Sequence, residues 1–254
     1  MIKCDANCDA KCDAMWYNQQ KEKIMTREEI IQKINECLTL VHSHFDKADK
    51  EVRHNAPASV QSEKFGIREW WLQEYRKTSG NQYANMFSFN ADDILHNNIP
   101  SYVVGCSGRA DLFAKYAQEY GLDVSIVAMV DTASKKEHPN GHQIIAVKFP
   151  DGLHMIDPGG GRTTYEKATI PGKCKVGEKI SYNRRDGNTE YKIAAILSPA
   201  EHAKIDRIEK LSKIYKSTNV QSWNSGIKHI KQKLKAIKLK SISSYYNSEK
   251  SNQQ

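Results

Sequence analysis

The sequence predicts an α+β fold, and three observations carry the prediction. Helical periodicity dominates the first 120 residues, apolar segments separated by turn signals fill 124–157, and helical periodicity returns after Ser198-Pro199. Helices, then strands, then helices again is an α+β plan with a helical C-terminal extension. At 254 residues the chain has room for one sizeable core with small appendages. It divides into a low-complexity tail over 1–20, a main domain over 21–200 and a basic helical extension over 201–254.

Thr26-Arg27-Glu28-Glu29 has the form of a capping box, and Ile30, Ile31, Ile34, Leu38, Val41 and Phe45 then recur at helical spacing, so a helix is expected over about 27–47. Cys37 falls beside that stripe as a small hydrophobe. Residues 66–78 form a second helix, with Trp70, Trp71 and Tyr75 as packing aromatics, and 110–120 a third, stopped by Gly121. Strands are expected over 124–130, 142–149 and 153–156, with a weaker one over 191–197. Pro150-Asp151-Gly152 makes 142–157 a hairpin. Ser198-Pro199 opens a further helix in N-cap and N1 style.

The net charge of +8 resides entirely in the extension, because the first 200 residues balance their acids and bases. Within it, 227–240 (IKHIKQKLKAIKLK) is amphipathic, with six lysines and no acid. It reads as the solvated face of a packed helix, or as a surface for anionic lipid or an acidic protein. Nucleic acid fits less well, since Tyr245 and Tyr246 lie outside the lysine run. No run reaches the roughly 18 apolar residues of a membrane span, and MIKCDANCDAKCDAMW lacks an apolar signal core. The expected location is therefore cytoplasmic, and non-classical export is compatible with it. Residues 3–14 repeat a Cys-Asp-Ala unit three times. The repeat reads first as a low-complexity extension; on a helix it would align Cys4, Cys8 and Cys12, which still lack the fourth ligand of a structural zinc site.

The sharpest chemical feature is Gly105-Cys106-Ser107-Gly108, where the 110–120 helix begins. A thiol at a helix N-terminus meets the positive end of the macrodipole and unsatisfied N–H groups, which favour the nucleophilic thiolate. The Cys106 N–H would also be placed for an oxyanion hole. A thiol nucleophile needs a base, and the base an orienter. His142 opens one strand of the hairpin and Asp157 closes the other. A two-residue turn at Asp151-Gly152 puts them on one face with an offset, whereas a three-residue turn puts them on opposite faces unless a bulge intervenes.

The order Gly-Cys, helix, Gly, then His opening a strand, then Asp-Pro closing the next resembles the transglutaminase-like superfamily. The resemblance is carried by Gly105-Cys106, by Ala110, Phe113 and Gly121, by His142, by Asp151-Gly152 and by Asp157-Pro158. It covers 100–160 closely and 27–100 loosely. It implies a papain-like core, with helices packed on an antiparallel sheet, and a triad of Cys106 as nucleophile, His142 as base and Asp157 as orienting carboxylate. It also implies acyl transfer from a protein or peptide amide through a thioester: hydrolysis, deamidation or transamidation, or an arylamine-type transfer on the same triad. No metal or organic cofactor is implied. Ile144 stands where relatives often carry an aromatic, and Gly159 where Thr usually follows Asp-Pro. An upstream oxyanion partner would come from Trp70, Trp71 or Gln82.

Other residues fit less well. His154 lies three positions before Asp157 and so faces the opposite side of a regular strand, and His138 precedes a proline in a loop. Cys174 has no helix start behind it. His138 and His142 have zinc-ligand spacing, but Pro139-Asn140-Gly141 between them forbids the aligning helix. The contrasting function is a non-catalytic binding module that engages a membrane or acidic partner through 227–240.

Overall fold

The computed structural model describes residues 25–61, 66–82, 84–86, 89–133, 141–184 and 187–205. The Cys-Asp-Ala repeat, His138 and the basic stretch 227–240 lie outside the described residues.

Helix α1 spans Arg27–Asn55. Its capping box is complete: Glu29 N–H donates to Thr26 Oγ1 at 3.2 Å, and Thr26 N–H to Glu29 Oε2 at 2.8 Å. It runs past the predicted 47 because Ala48 and Val52 extend the buried stripe. It stops at Ala56, held extended by the following Pro57. Short α2 (Ala58–Gln61), α3 (Gly66–Ser79), α4 (Ala91–His96) and a 3₁₀ turn (Ser101–Val103) lead to α5 (Cys106–Glu119).

Helix α5 begins four residues earlier than predicted. Gly108 reads as a turn residue, but its role is steric: a Cβ there would lie 2.6 Å from Val104 Cγ1 and 2.8 Å from the Phe89 carbonyl oxygen. Gly105 is the N-cap, so Cys106 is the first helical residue. The helix ends in a Schellman motif: Leu122 N–H reaches the Ala117 carbonyl and Gly121 N–H the Gln118 carbonyl, with Gly121 at φ +73°.

Strands β1 (Val124–Asp131), β2 (Gly141–Phe149), β3 (Gly152–Ile156), β4 (Thr169–Ile170), β5 (Lys179–Arg184) and β6 (Gly187–Leu197) form one antiparallel sheet, in the order β4-β3-β2-β1-β6-β5. A helical turn, α6 (Tyr165–Ala168), precedes β4. On one face Ile126, Ile145, Val147 and Phe149 pack with the buried stripes of α1 and α5. On the other, Met129, Ile144, Met155, Cys174, Ile180 and Ile193 enclose a second core as the sheet curls over itself. Strands β4 and β5 were not expected from the sequence. β4 has two residues, and β5 is carried by Ile180 among polar neighbours, so neither shows enough alternation to stand out. A helix begins at 199 and is described to 205, where His202 Nδ1 meets Asp111 Oδ1 of α5 at 3.0 Å. No helix among the described residues is long and apolar enough to cross a membrane.

The hairpin register resolves the facing of its two ends. Phe149 pairs with Gly152 and Ile145 with Ile156, leaving a two-residue turn at Pro150-Asp151, one position earlier than expected. Gly152, at φ +129°, absorbs the backbone twist. Continuing that register sets Asp157 opposite Ile144, which shares its face with His142.

Candidate active site

Cys106 reaches the site through a network that fixes the start of α5. Gly105 N–H donates to the Met86 carbonyl at 2.8 Å. Asp49 of α1 accepts from both the N–H and the hydroxyl of Ser101, each at 2.6 Å. Arg109 then donates to the Ser101 carbonyl at 2.7 Å while its guanidinium lies 4.7 Å from the Phe45 ring centre. The long helix, the 3₁₀ turn and α5 are thereby locked together just before the thiol.

His142 and Asp157 are 6% and 4% exposed, deep enough for their charges to depend on each other. His142 Nε2 lies 3.3 Å from Asp157 Oδ2. An ionised carboxylate only accepts, so Nε2–H is the donor, and Nδ1 is the nitrogen left for the Cys106 thiol, to which the ring is also hydrogen-bonded. The 3.3 Å separation is long for a charge-assisted bond, and Oδ2 is shared with Arg162 Nη1 at 2.8 Å. Asp157 Oδ1 accepts from Gly159 N–H at 2.8 Å.

The electrostatics follow from this geometry. Burial works against ionising Asp157, but the hydrogen bond and charge of His142, the Gly159 N–H and Arg162 outweigh it, and the carboxyl is held down at about 2. Burial likewise works against charging His142, but Asp157 and the thiolate partner push it up to about 9. For Cys106, burial raises the pKa, while His142 and the N–H groups of Gln143 and Ser107 lower it, and the net direction is down. The three shifts are coupled: each of Cys106, His142 and Asp157 is displaced toward its charged form by its neighbour.

The structure thus brings Cys106, His142 and Asp157 together from a helix start, a strand and a strand end. It carries His154 elsewhere: Nε2 meets Asp151 Oδ1 at 3.0 Å and Nδ1 the Tyr165 hydroxyl at 2.7 Å. The other described thiols are buried and apolar in setting; burial pushes Cys37 up to about 12 and Cys174 to about 11. Of the suggested oxyanion partners, Trp71 stacks on Tyr75 at 5.1 Å and edges Phe89, a packing role, and Gln82 is exposed. Among the described residues, no group of three His, Cys, Asp or Glu side chains is disposed to hold a metal ion.

Two residues beside the site were not singled out from the sequence. Tyr191 places its ring 5.8 Å from that of His142. It reaches that face because β6 is bulged between its pairings with Ala128 and Met129, and Met129 is the partner of His142. Arg162 reaches Asp157 across a glycine turn; the Gly159-Gly160-Gly161 run was the only hint that the chain doubles back there.

No protein-family model and no curated protein matches this chain. Among solved structures it is similar to Mycobacterium marinum arylamine N-acetyltransferase in complex with CoA, at 18% identity and a TM-score of 0.27. That match covers 41% of this chain and 46% of the acetyltransferase, less than half of either.

Proposed function

We propose that this protein is a thiol-dependent acyl-transfer enzyme with a papain-like, transglutaminase-like core over 21–200. The observation that carries the reading is the hydrogen-bonded run from Cys106 to His142 to Asp157, with the thiol at the N-terminus of α5. In the first step the Cys106 thiolate attacks the carbonyl carbon of a protein or peptide amide, and the C=O electron pair moves to oxygen. As the first residue of α5, Cys106 has a backbone N–H with no intrahelical acceptor, a donor suited to that oxyanion. Collapse breaks the C–N bond; the leaving nitrogen takes its proton from His142, and a thioester remains. Water or an amine then attacks the thioester, His142 takes the proton of the incoming nucleophile, and the thiolate is released. Asp157 holds the ring in the tautomer that directs Nδ1 at sulfur.

Hydrolysis, deamidation and transamidation share these steps and differ in the amide and the acceptor. The basic stretch at 227–240 belongs to the proposal as a docking segment for an anionic membrane surface or an acidic protein.

The test is brief iodoacetamide labelling across a pH series, read by peptide mapping, in wild type and His142→Ala. Cys106 should react fastest below neutral pH and lose that lead in the variant. A Cys106 that behaves like Cys37 and Cys174, or that ignores the loss of His142, overturns the reading and favours a binding module.

A further inference from the structure

Both hydrogens of Arg162 Nη1 are spent on the Asp157 turn. One goes to Asp157 Oδ2 at 2.8 Å and the other to the Gly159 carbonyl at 3.0 Å. Gly159 N–H in turn donates to Asp157 Oδ1 at 2.8 Å. The carboxylate is therefore gripped at both oxygens by its own turn, while His142 approaches Oδ2 from 3.3 Å. Arg162 is the nearer partner of the shared oxygen, so the guanidinium sets where that oxygen sits.

The side-chain exposures fit a support role. Asp157 is 6% exposed and Arg162 24%, so the buried carboxylate is matched by a cation that keeps contact with solvent. The turn is shaped to deliver it. Gly160 and Gly161 lie at φ +71° and +73°, and a Cβ on Gly160 would stand 3.3 Å from Arg162 Nη1. The conformation and the clearance for the guanidinium both depend on glycine there.

We propose that Arg162 is a positioning residue, which orients Asp157 so that its Oδ2 faces the His142 imidazole. The inference rests on the reading of Cys106, His142 and Asp157 as one catalytic unit. Without the guanidinium the shorter of the two bonds to Oδ2 is lost while Gly159 N–H still holds Oδ1, so the second oxygen is less firmly aimed at the imidazole. His142 then loses the fixed partner that stabilises its cation, and the thiolate at Cys106 loses its counter-charge. The bonds of Arg162 Nη1 go to Asp157 and to the Gly159 carbonyl, so it acts on the imidazole through Asp157.

Arg162 also lines two cavities, of about 230 and 360 Å³. Shortening it leaves a space that a small solute can enter, which permits chemical rescue. The experiment is the pH profile of Cys106 alkylation in Arg162→Ala, with and without methylguanidinium at a non-denaturing concentration. Sodium chloride at equal ionic strength is the control. A charge-assisted bond of this kind is worth about tenfold or more, so the acid limb should move up by about one pH unit. Methylguanidinium, but not sodium chloride, should move it back. An unmoved limb overturns the inference, and so does a shift that methylguanidinium leaves in place, which would mark a structural role. If Arg162→Ala does not fold, Arg162→Lys decides. It keeps a donor and a charge on a shorter reach and should shift the limb upward by less than one unit; a profile identical to wild type overturns the inference. Failure of the underlying reading is separable, because it appears as wild-type Cys106 insensitive to His142→Ala.

Discussion

Replacing Asp157 with asparagine removes one charge from the site and almost no volume. The carboxamide oxygen of the new side chain can still accept from His142 Nε2, so the perturbation falls on electrostatics. Its direction follows from the structure. His142 is lifted from 6.5 to about 9, but that displacement also contains the contribution of Cys106. Asp157 is depressed from 3.8 to about 2, but that one contains Gly159 and Arg162. Each displacement is also net of an opposing burial penalty, the largest single cause in both, so neither isolates the His142–Asp157 pair; we take its share as about 1 pH unit, or roughly 1.4 kcal/mol. The imidazolium then forms less readily in the variant, and the thiolate beside it with it. The assay is the second-order rate of Cys106 alkylation at about pH 6, where an unperturbed thiol is almost wholly protonated. The expected result is a rate about tenfold lower in Asp157→Asn, with thermal stability reduced but the fold retained. A rate within about twofold of wild type would refute the reasoning, because it would mean that the carboxylate contributes nothing to the thiolate–imidazolium pair.

Three further outcomes are expected. Gly108→Ala should destabilise the fold by about 1–3 kcal/mol, the usual range for overpacking, because the added methyl meets the Phe89 carbonyl at 2.8 Å; a melting temperature equal to wild type would contradict the packing described. Between about 6.5 and 9 the raised His142 loses stability as pH rises while the lowered Cys106 gains it, so the two slopes oppose each other in wild type. Cys106→Ala removes the gain and also the thiol's share of the His142 shift, so its melting temperature should fall more steeply than that of wild type from about 6.5 upward and level off below 9; parallel curves would dissociate the two groups. Toward acid the depressed Asp157 contributes stability above 3.8 that is lost as pH falls to about 2, a loss that calorimetry should find diminished in Asp157→Asn.

Much of the fold was written in local pattern. The capping box at Thr26, the apolar stripe from Ile30 to Phe45, Gly121 after the 110–120 stretch and Pro150-Asp151-Gly152 each act over a few residues, so each was legible and each lies within or beside its predicted element. The same locality made Cys106, His142 and Asp157 visible as candidates: a thiol before a helix, and two polar residues at strand ends. The boundaries that failed did so for tertiary reasons. Gly108 looks like a turn in isolation but lies inside the helix, and it is glycine there because Phe89 and Val104 come too close for a side chain. α1 outran its prediction because Ala48 and Val52 find cover in the core.

Sequence alone also left the facing of His142 and Asp157 undecided, since one residue of turn length inverts a strand. The cross-strand pairing of Phe149 with Gly152 decided it. Tyr191 and Arg162 were beyond local reading altogether. Tyr191 shares the face of His142 only because a bulge shifts β6 against β1, and Arg162 meets Asp157 only because two glycines at positive φ fold the turn back. The sequence by itself determined which residue types could do chemistry and on which kind of element each would stand. Only tertiary structure decided their company, because burial, register and charge pairing are properties of chain segments brought together from far apart.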